Sequence, residues 1–170
     1  LNGLADAINV TDGAGAKSHM SALATAAILA QNGIEPILQF TTRDRNRIAI
    51  QGDLLGGWAL DIPNILCLYG DEVKGGDQPE TKEVRDLDTI GILRTAHEIK
   101  TKKMYPSGRK INDAPEFFIG GADTPSKVNN AFDGSNLFKK IEAGVEFFQT
   151  QYVFEKDTLE NYMLKLNELN

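Results

Sequence analysis

Five short apolar runs recur along the chain, each followed by a helical pattern. They are Asp6–Val10 (DAINV), Pro36–Phe40 (PILQF), Asn64–Tyr69 (NILCLY), Glu116–Gly120 (EFFIG) and Phe147–Tyr152 (FFQTQY). β-Branched or aromatic residues stand out in them, and none shows a clean polar–apolar alternation. Strands covered on both faces read this way, and parallel sheets are where both faces are covered. The first two strand-to-strand intervals are about thirty residues, the length of one β-α-β unit.

The intervening patterns predict helices. Lys17–Asn32 places Met20, Leu23, Ala27 and Ala30 at helical spacing, with Gly33 as a C-terminal cap. Arg45–Leu60 repeats Ile48, Leu55 and Ala59 on one stripe. Asp88–Lys103 opens with Asp and closes with lysines, as the helix dipole prefers, and offers Ile92, Leu93, Ala96 and Ile99 as its apolar face. Ser135–Ala143 is shorter and ends at Gly144. Asp157–Leu169 starts with Asp157 as N-cap and Glu160 three residues on. The polar stretch Lys100–Ala114 reads as a solvated helix end and loop.

Repeated β/α units fit either an open doubly wound sheet or part of a (β/α)8 barrel. In both, chemistry gathers at the C-terminal ends of the strands. The chain puts polar or glycine residues at each predicted end: Thr11-Asp12-Gly13, Gln39 with Thr41, Gly70-Asp71, Gly120-Gly121, and Gln149 with Gln151. At 170 residues it is read as a single α/β domain, 1–170.

A net charge of −6 argues against a nucleic-acid partner, which needs a basic face. The lone Cys67 excludes an internal disulfide and a cysteine-based zinc site, and its place in an apolar run suits a small buried side chain. The longest apolar stretch, Ala22–Ala30, is too short to span a membrane. A cytoplasmic location is the expectation. His19 and His97 fall in predicted helices without partners at metal-ligand spacing, so no metal site is expected. GDEVKGGD lacks the lysine and hydroxyl of a phosphate loop, and no GxGxxG follows the first strand. Asp71 could simply brace its loop. Gln151, inside an apolar run, reads as a buried amide in need of partners.

VTDGAG at 10–15, PILQFTTRDRNR at 36–47, LYGDEVKGGDQP at 68–79 and KKIEAGVEFFQTQYVFE at 139–155 resemble the methylenetetrahydrofolate reductase family, in the same order and almost end to end. The resemblance implies a (β/α)8 TIM-barrel flavoprotein, represented by a partial barrel of about five β/α units. It implies non-covalent FAD that takes hydride from NADH or NADPH and passes it to methylenetetrahydrofolate, giving methyltetrahydrofolate. Asp71 would be the catalytic carboxylate, and with Gln151 it would bind the folate. Thr11, Ala14, Gln39, Tyr69, Gly70, Asp71 and Ala122 would contact the flavin. Asp133, Asn136, Lys139 and Lys140 would hold the ribityl and diphosphate. Gln39 stands where many members have His, Ala122 where a stacking Tyr is common, and Tyr69 where Arg is usual.

The family's protonating Glu lies on a strand that would precede Leu1, and two further strands would follow Asn170. The expectation is therefore a fragment, inactive alone, or a chain whose open edges a partner or further copy covers. The alternative from another class is a non-catalytic α/β domain that binds a pterin or a protein. An open flavodoxin-like sheet is a third reading, weakened by the missing phosphate loop.

Overall fold

A computed structural model describes residues 3–125 and 132–169. Five β/α units follow one another: β1 Ile8–Val10, α1 Ala22–Gln31, β2 Pro36–Thr41, α2 Arg47–Ala59, β3 Asn64–Leu68, α3 Thr89–Lys102, β4 Phe118–Asp123, α4 Ser135–Glu142, β5 Phe147–Thr150 and α5 Lys156–Glu168. The strands form one parallel sheet in the order β1-β2-β3-β4-β5. A doubly wound sheet reverses its strand order at a switch point, whereas a barrel lays each new strand beside the last. The sequential order therefore settles the architecture as a partial (β/α)8 barrel. The sheet also curls as a barrel does: Asn9 on β1 donates from Nδ2 to Gln149 Oε1 on β5 at 2.9 Å, although these strands are the two edges.

Strand alternation sorts the residues into two faces. Val10, Leu38, Phe40, Ile65, Cys67 and Ile119 join the core, with Ala26, Ile50, Leu54, Ile92, Leu93, Ala96 and Ile99 from the helices. Asn9, Gln39, Thr41, Leu66, Ala122 and Gln149 turn to the concave side. Phe118 and Phe147 stack there at 4.8 Å, and Gly120 makes room, since a Cβ at 120 would lie 2.3 Å from the Phe147 ring. Burial in β3 pushes the Cys67 thiol up to about 12. Native protein at neutral pH should resist iodoacetamide and react only once denatured, as mass spectrometry would show. Labelling of the folded chain would mean that β3 opens.

Several boundaries differ from the sequence reading. The first strand begins at Ile8 rather than Asp6, the fourth runs Phe118–Asp123 rather than 116–120, and the fifth stops at Thr150 rather than Tyr152. Gly120-Gly121 is thus mid-strand, and Asp123-Thr124 forms the end. The first helix starts at Ala22, leaving His19 and a 61% exposed Met20 outside it; Ala22 and Ala26 are its buried residues. On α2 the buried stripe is Ile50, Leu54 and Gly57, while Ile48 is exposed. That face follows from packing on the sheet: a Cβ on Gly57 would lie 3.3 Å from Leu38. Asn46 caps α2, accepting from Ile48 and Ala49 N–H, and Asp88 caps α3 by accepting from Gly91 N–H. In α5, Glu155 rather than Asp157 is the capping residue, with no side-chain bond; Asp157 lies in the first turn, where its charge suits the dipole. The extra length between β3 and β4 is split between 69–88, before α3, and 103–117, after it.

Candidate active site

A cavity of about 520 Å³ opens at the C-terminal ends of the strands, on the concave side. β1 and the turn after it bring Thr11 and Ala14, and β2 brings Gln39. The segment after β3 brings Tyr69, Gly70 and Asp71, β4 brings Ala122, and the chain just past β5 brings Gln151. Asp133, Asn136, Lys139 and Lys140 lie elsewhere, around a second cavity of about 600 Å³ beside the start of α4. The two cavities flank the end of β4, for Ala122 lines the first and Asp123 the second. Gln151 differs from its sequence reading. It is exposed, one residue beyond the strand, and among the described residues only its backbone N–H is bonded, to Asp123 O. The apolar run around it is edge strand and open chain, so no buried amide needs rescue.

The wall of the first cavity is built on an ion pair. Asp12 is 8% exposed, and its Oδ2 accepts from Thr41 N–H at 2.9 Å, Thr41 Oγ1 at 3.0 Å and Arg45 Nη1 at 2.6 Å. Burial works to raise its pKa, but Arg45 and then Thr41 outweigh it and hold the carboxyl below its ordinary value. Arg45 also donates to Asp53 at 2.8 Å, which ties the end of β1 and the end of β2 to α2. Through its backbone N–H, Asp12 meets Gln39 Oε1 at 3.3 Å.

Two further arginines hold the Asp71 segment. Arg43 is 4% exposed; its Nη1 donates to Gly13 O at 3.1 Å and Asp71 O at 3.4 Å, while Asp44 takes the rest of the guanidinium. Gly13, at φ 62°, admits it, since a Cβ there would sit 2.4 Å from Arg43 Nη2. Arg85 donates to Tyr69 O at 2.8 Å and lies over the Tyr69 ring at 3.7 Å. Its partner Glu83 is held down to about 2 by that guanidinium and by Val73 N–H. The Asp71 carboxylate itself is exposed and accepts Gly15 N–H on Oδ2 at 2.7 Å, joining the segment after β3 to the turn after β1.

Around the second cavity, Asp133 accepts Ser135 N–H at the start of α4. Lys140 Nζ is committed to Ala122 O, whereas Lys139 is exposed. Tyr162 donates to Asp123 at 2.6 Å; burial and then Asp123 raise its phenol pKa.

Asp12 and Gln149 were legible only as polar strand-end residues, and Asn9, Arg43, Arg45 and Arg85 took no part in the sequence-level site. Asn9 and Gln149 carried a usable signal, each being an amide on an apolar strand. Among the described residues no group of side chains could hold a metal ion, and no helix is long and apolar enough to cross a membrane.

The sequence profile of a known family, described as Methylenetetrahydrofolate reductase, matches residues 2–169. No curated protein matches the chain.

Proposed function

Since the chain belongs to the methylenetetrahydrofolate reductase family, we propose that it contributes most of the active site of an FAD-dependent enzyme that reduces 5,10-methylenetetrahydrofolate. One observation carries the reading: Thr11, Asp71 and Gln151, from distant parts of the chain, line a single cavity at the strand ends. When bound, FAD supplies the hydride relay from NADH or NADPH to methylenetetrahydrofolate, yielding methyltetrahydrofolate.

The residues present fit such a group. The cavity wall carries amides, which match the mixed donors and acceptors of flavin and pterin edges. Asp133 and Asn136 offer polar atoms to ribityl hydroxyls. The exposed Lys139 offers a cation to a diphosphate, a task for which Lys140 is poorly placed because it already serves Ala122 O. At position 69, where the family commonly has Arg, the Arg85 guanidinium stacked on Tyr69 supplies the neighbouring positive charge.

Each residue then has a task. Asp71 accepts hydrogen bonds from pterin N–H groups and sets a negative charge beside the rings. Gln151, on the rim and without a side-chain partner among the described residues, can both donate to and accept from the pterin. Thr11, Ala14, Gln39, Gly70 and Ala122 shape the bed for the isoalloxazine. The activity is proposed for a closed barrel, because β1 and β5 each have one strand neighbour among the described residues.

Full-length protein should be yellow, bleach with NADH or NADPH and regain its colour with methylenetetrahydrofolate. A colourless protein that still binds folate would instead establish the non-catalytic reading. Gln151→Glu should weaken folate binding about tenfold, because a carboxylate loses the amide's donor. Unchanged affinity in calorimetry would remove Gln151 from the site.

A further inference from the structure

Asp71 stands in a stretch of chain with little rigidity of its own, between the end of β3 at Leu68 and the start of α3 at Thr89. It follows Gly70, which adopts φ 86°, and a glycine there leaves the backbone free to turn unless neighbouring groups fix it. Two residues from the far end of the same connection do so. Glu83 and Arg85 form an ion pair, and between them they take hold on both sides of Asp71. On one side, Arg85 Nη1 donates to Tyr69 O at 2.8 Å while the guanidinium lies over the Tyr69 ring. Its Nη2 passes Gly70 O at 3.4 Å and Asp71 O at 3.5 Å, long contacts that still favour carbonyls turned toward the cation. On the other side, Glu83 Oε1 accepts Val73 N–H at 3.1 Å. The pair is anchored in turn, since Val84 N–H donates at 2.7 Å to Arg43 O, just past β2. Arg85 itself stands at φ 39°, where a β-carbon is disfavoured and glycine would be the easier choice. The turn alone gives no reason for an arginine there; the contacts of its side chain do.

We infer that the Glu83–Arg85 pair is a positioning clamp for Asp71, fixing the direction from which its carboxylate meets the reacting substrate. The inference rests on the proposed role of Asp71 in folate reduction and deepens it, naming two residues that act through Asp71 rather than on a ligand. A planar guanidinium can hold Glu83 and the carbonyls at once, because its N–H groups point in fixed directions. A lysine ammonium supplies the charge without that fork. A displacement of about 1 Å at a positioned group is enough to cost rate.

Rapid mixing of the full-length protein with nicotinamide and then with methylenetetrahydrofolate separates the two half-reactions. Arg85→Met should slow folate reduction about tenfold more than flavin reduction. Arg85→Lys should recover only part of that loss. In an Asp71→Asn background, Arg85→Met should add less than about twofold, because the carboxylate that the clamp positions is gone. Glu83→Gln keeps an oxygen for Val73 N–H but discharges the pair; it should show the same preference at smaller size, and it carries the test if the Arg85 variants do not fold. Equal slowing of both half-reactions, full recovery in Arg85→Lys, or a loss that multiplies independently with that of Asp71→Asn would each overturn the clamp and leave the reading of Asp71 standing. An Asp71→Asn protein that fails to separate the half-reactions overturns the reading of Asp71, and the clamp with it.

Discussion

Arg45→Met is expected to lower folding stability by about 3 kcal/mol. It leaves the Asp12 carboxylate buried with Thr41 as its remaining side-chain partner, and it releases the tie from Arg45 to Asp53 on α2. Asp12→Asn should cost less, because an amide oxygen still accepts from Thr41 and no anion is stranded. Urea denaturation followed by circular dichroism measures both, and a loss within experimental error in Arg45→Met would show that the pair does not support the wall.

The pH dependence separates a charge effect from lost packing. Asp12 has a lowered pKa in the folded protein, so its contribution is complete above the ordinary carboxylate value of 3.8 and is lost as pH falls through the lower folded value. In Arg45→Met the burial that opposes ionisation is no longer outweighed, and the Asp12 pKa should rise. Protonation then relieves the variant while it weakens the wild type, so the stability gap should narrow on acidification. A gap independent of pH would assign the loss to packing. Glu83 and Asp86, each held down to about 2 by an arginine, add to acid sensitivity in both proteins and cancel in the comparison.

Asp71→Asn, in the full-length protein, should slow reduction of methylenetetrahydrofolate by about a hundredfold while flavin reduction by the nicotinamide stays within a few-fold. Asparagine retains an oxygen for Gly15 N–H, so the joint between the two segments survives. What disappears is a negative charge beside the rings. Its loss makes bound flavin easier to reduce and a weaker hydride donor, and it also removes an acceptor for the pterin. Rapid-mixing absorbance resolves the two half-reactions. Equal slowing of both would count against a folate-side role for Asp71.

The parts of the fold legible in the sequence were those with a local cause. The helix over 88–103 was readable because Asp88, the closing lysines and the Ile92, Leu93, Ala96, Ile99 face agree with one another. Ile48 misled because it fits the helical period of α2 yet sits in a first turn that faces solvent. The site was legible through the polar residues at strand ends and through motif resemblance. For Gln151 the premise of burial is removed by its exposed position, and its place in the candidate site rests on the motif resemblance. Asp12 was legible only as a polar strand-end residue, because its partner, Arg45, is 33 residues away.

By itself the sequence determined a succession of β/α units and most residues of their shared core, because periodicity and capping act over a few neighbouring positions. Periodicity left an open sheet and a barrel both standing; motif resemblance implied the partial barrel, and the tertiary structure bears it out with strands in sequential order that curl. Tertiary structure alone decided that Asn9 reaches Gln149, and that Asp12 is locked to Arg45 beside the cavity. Those outcomes depend on which strand lies beside which and on the face each side chain takes, and contacts between segments far apart in the chain set both.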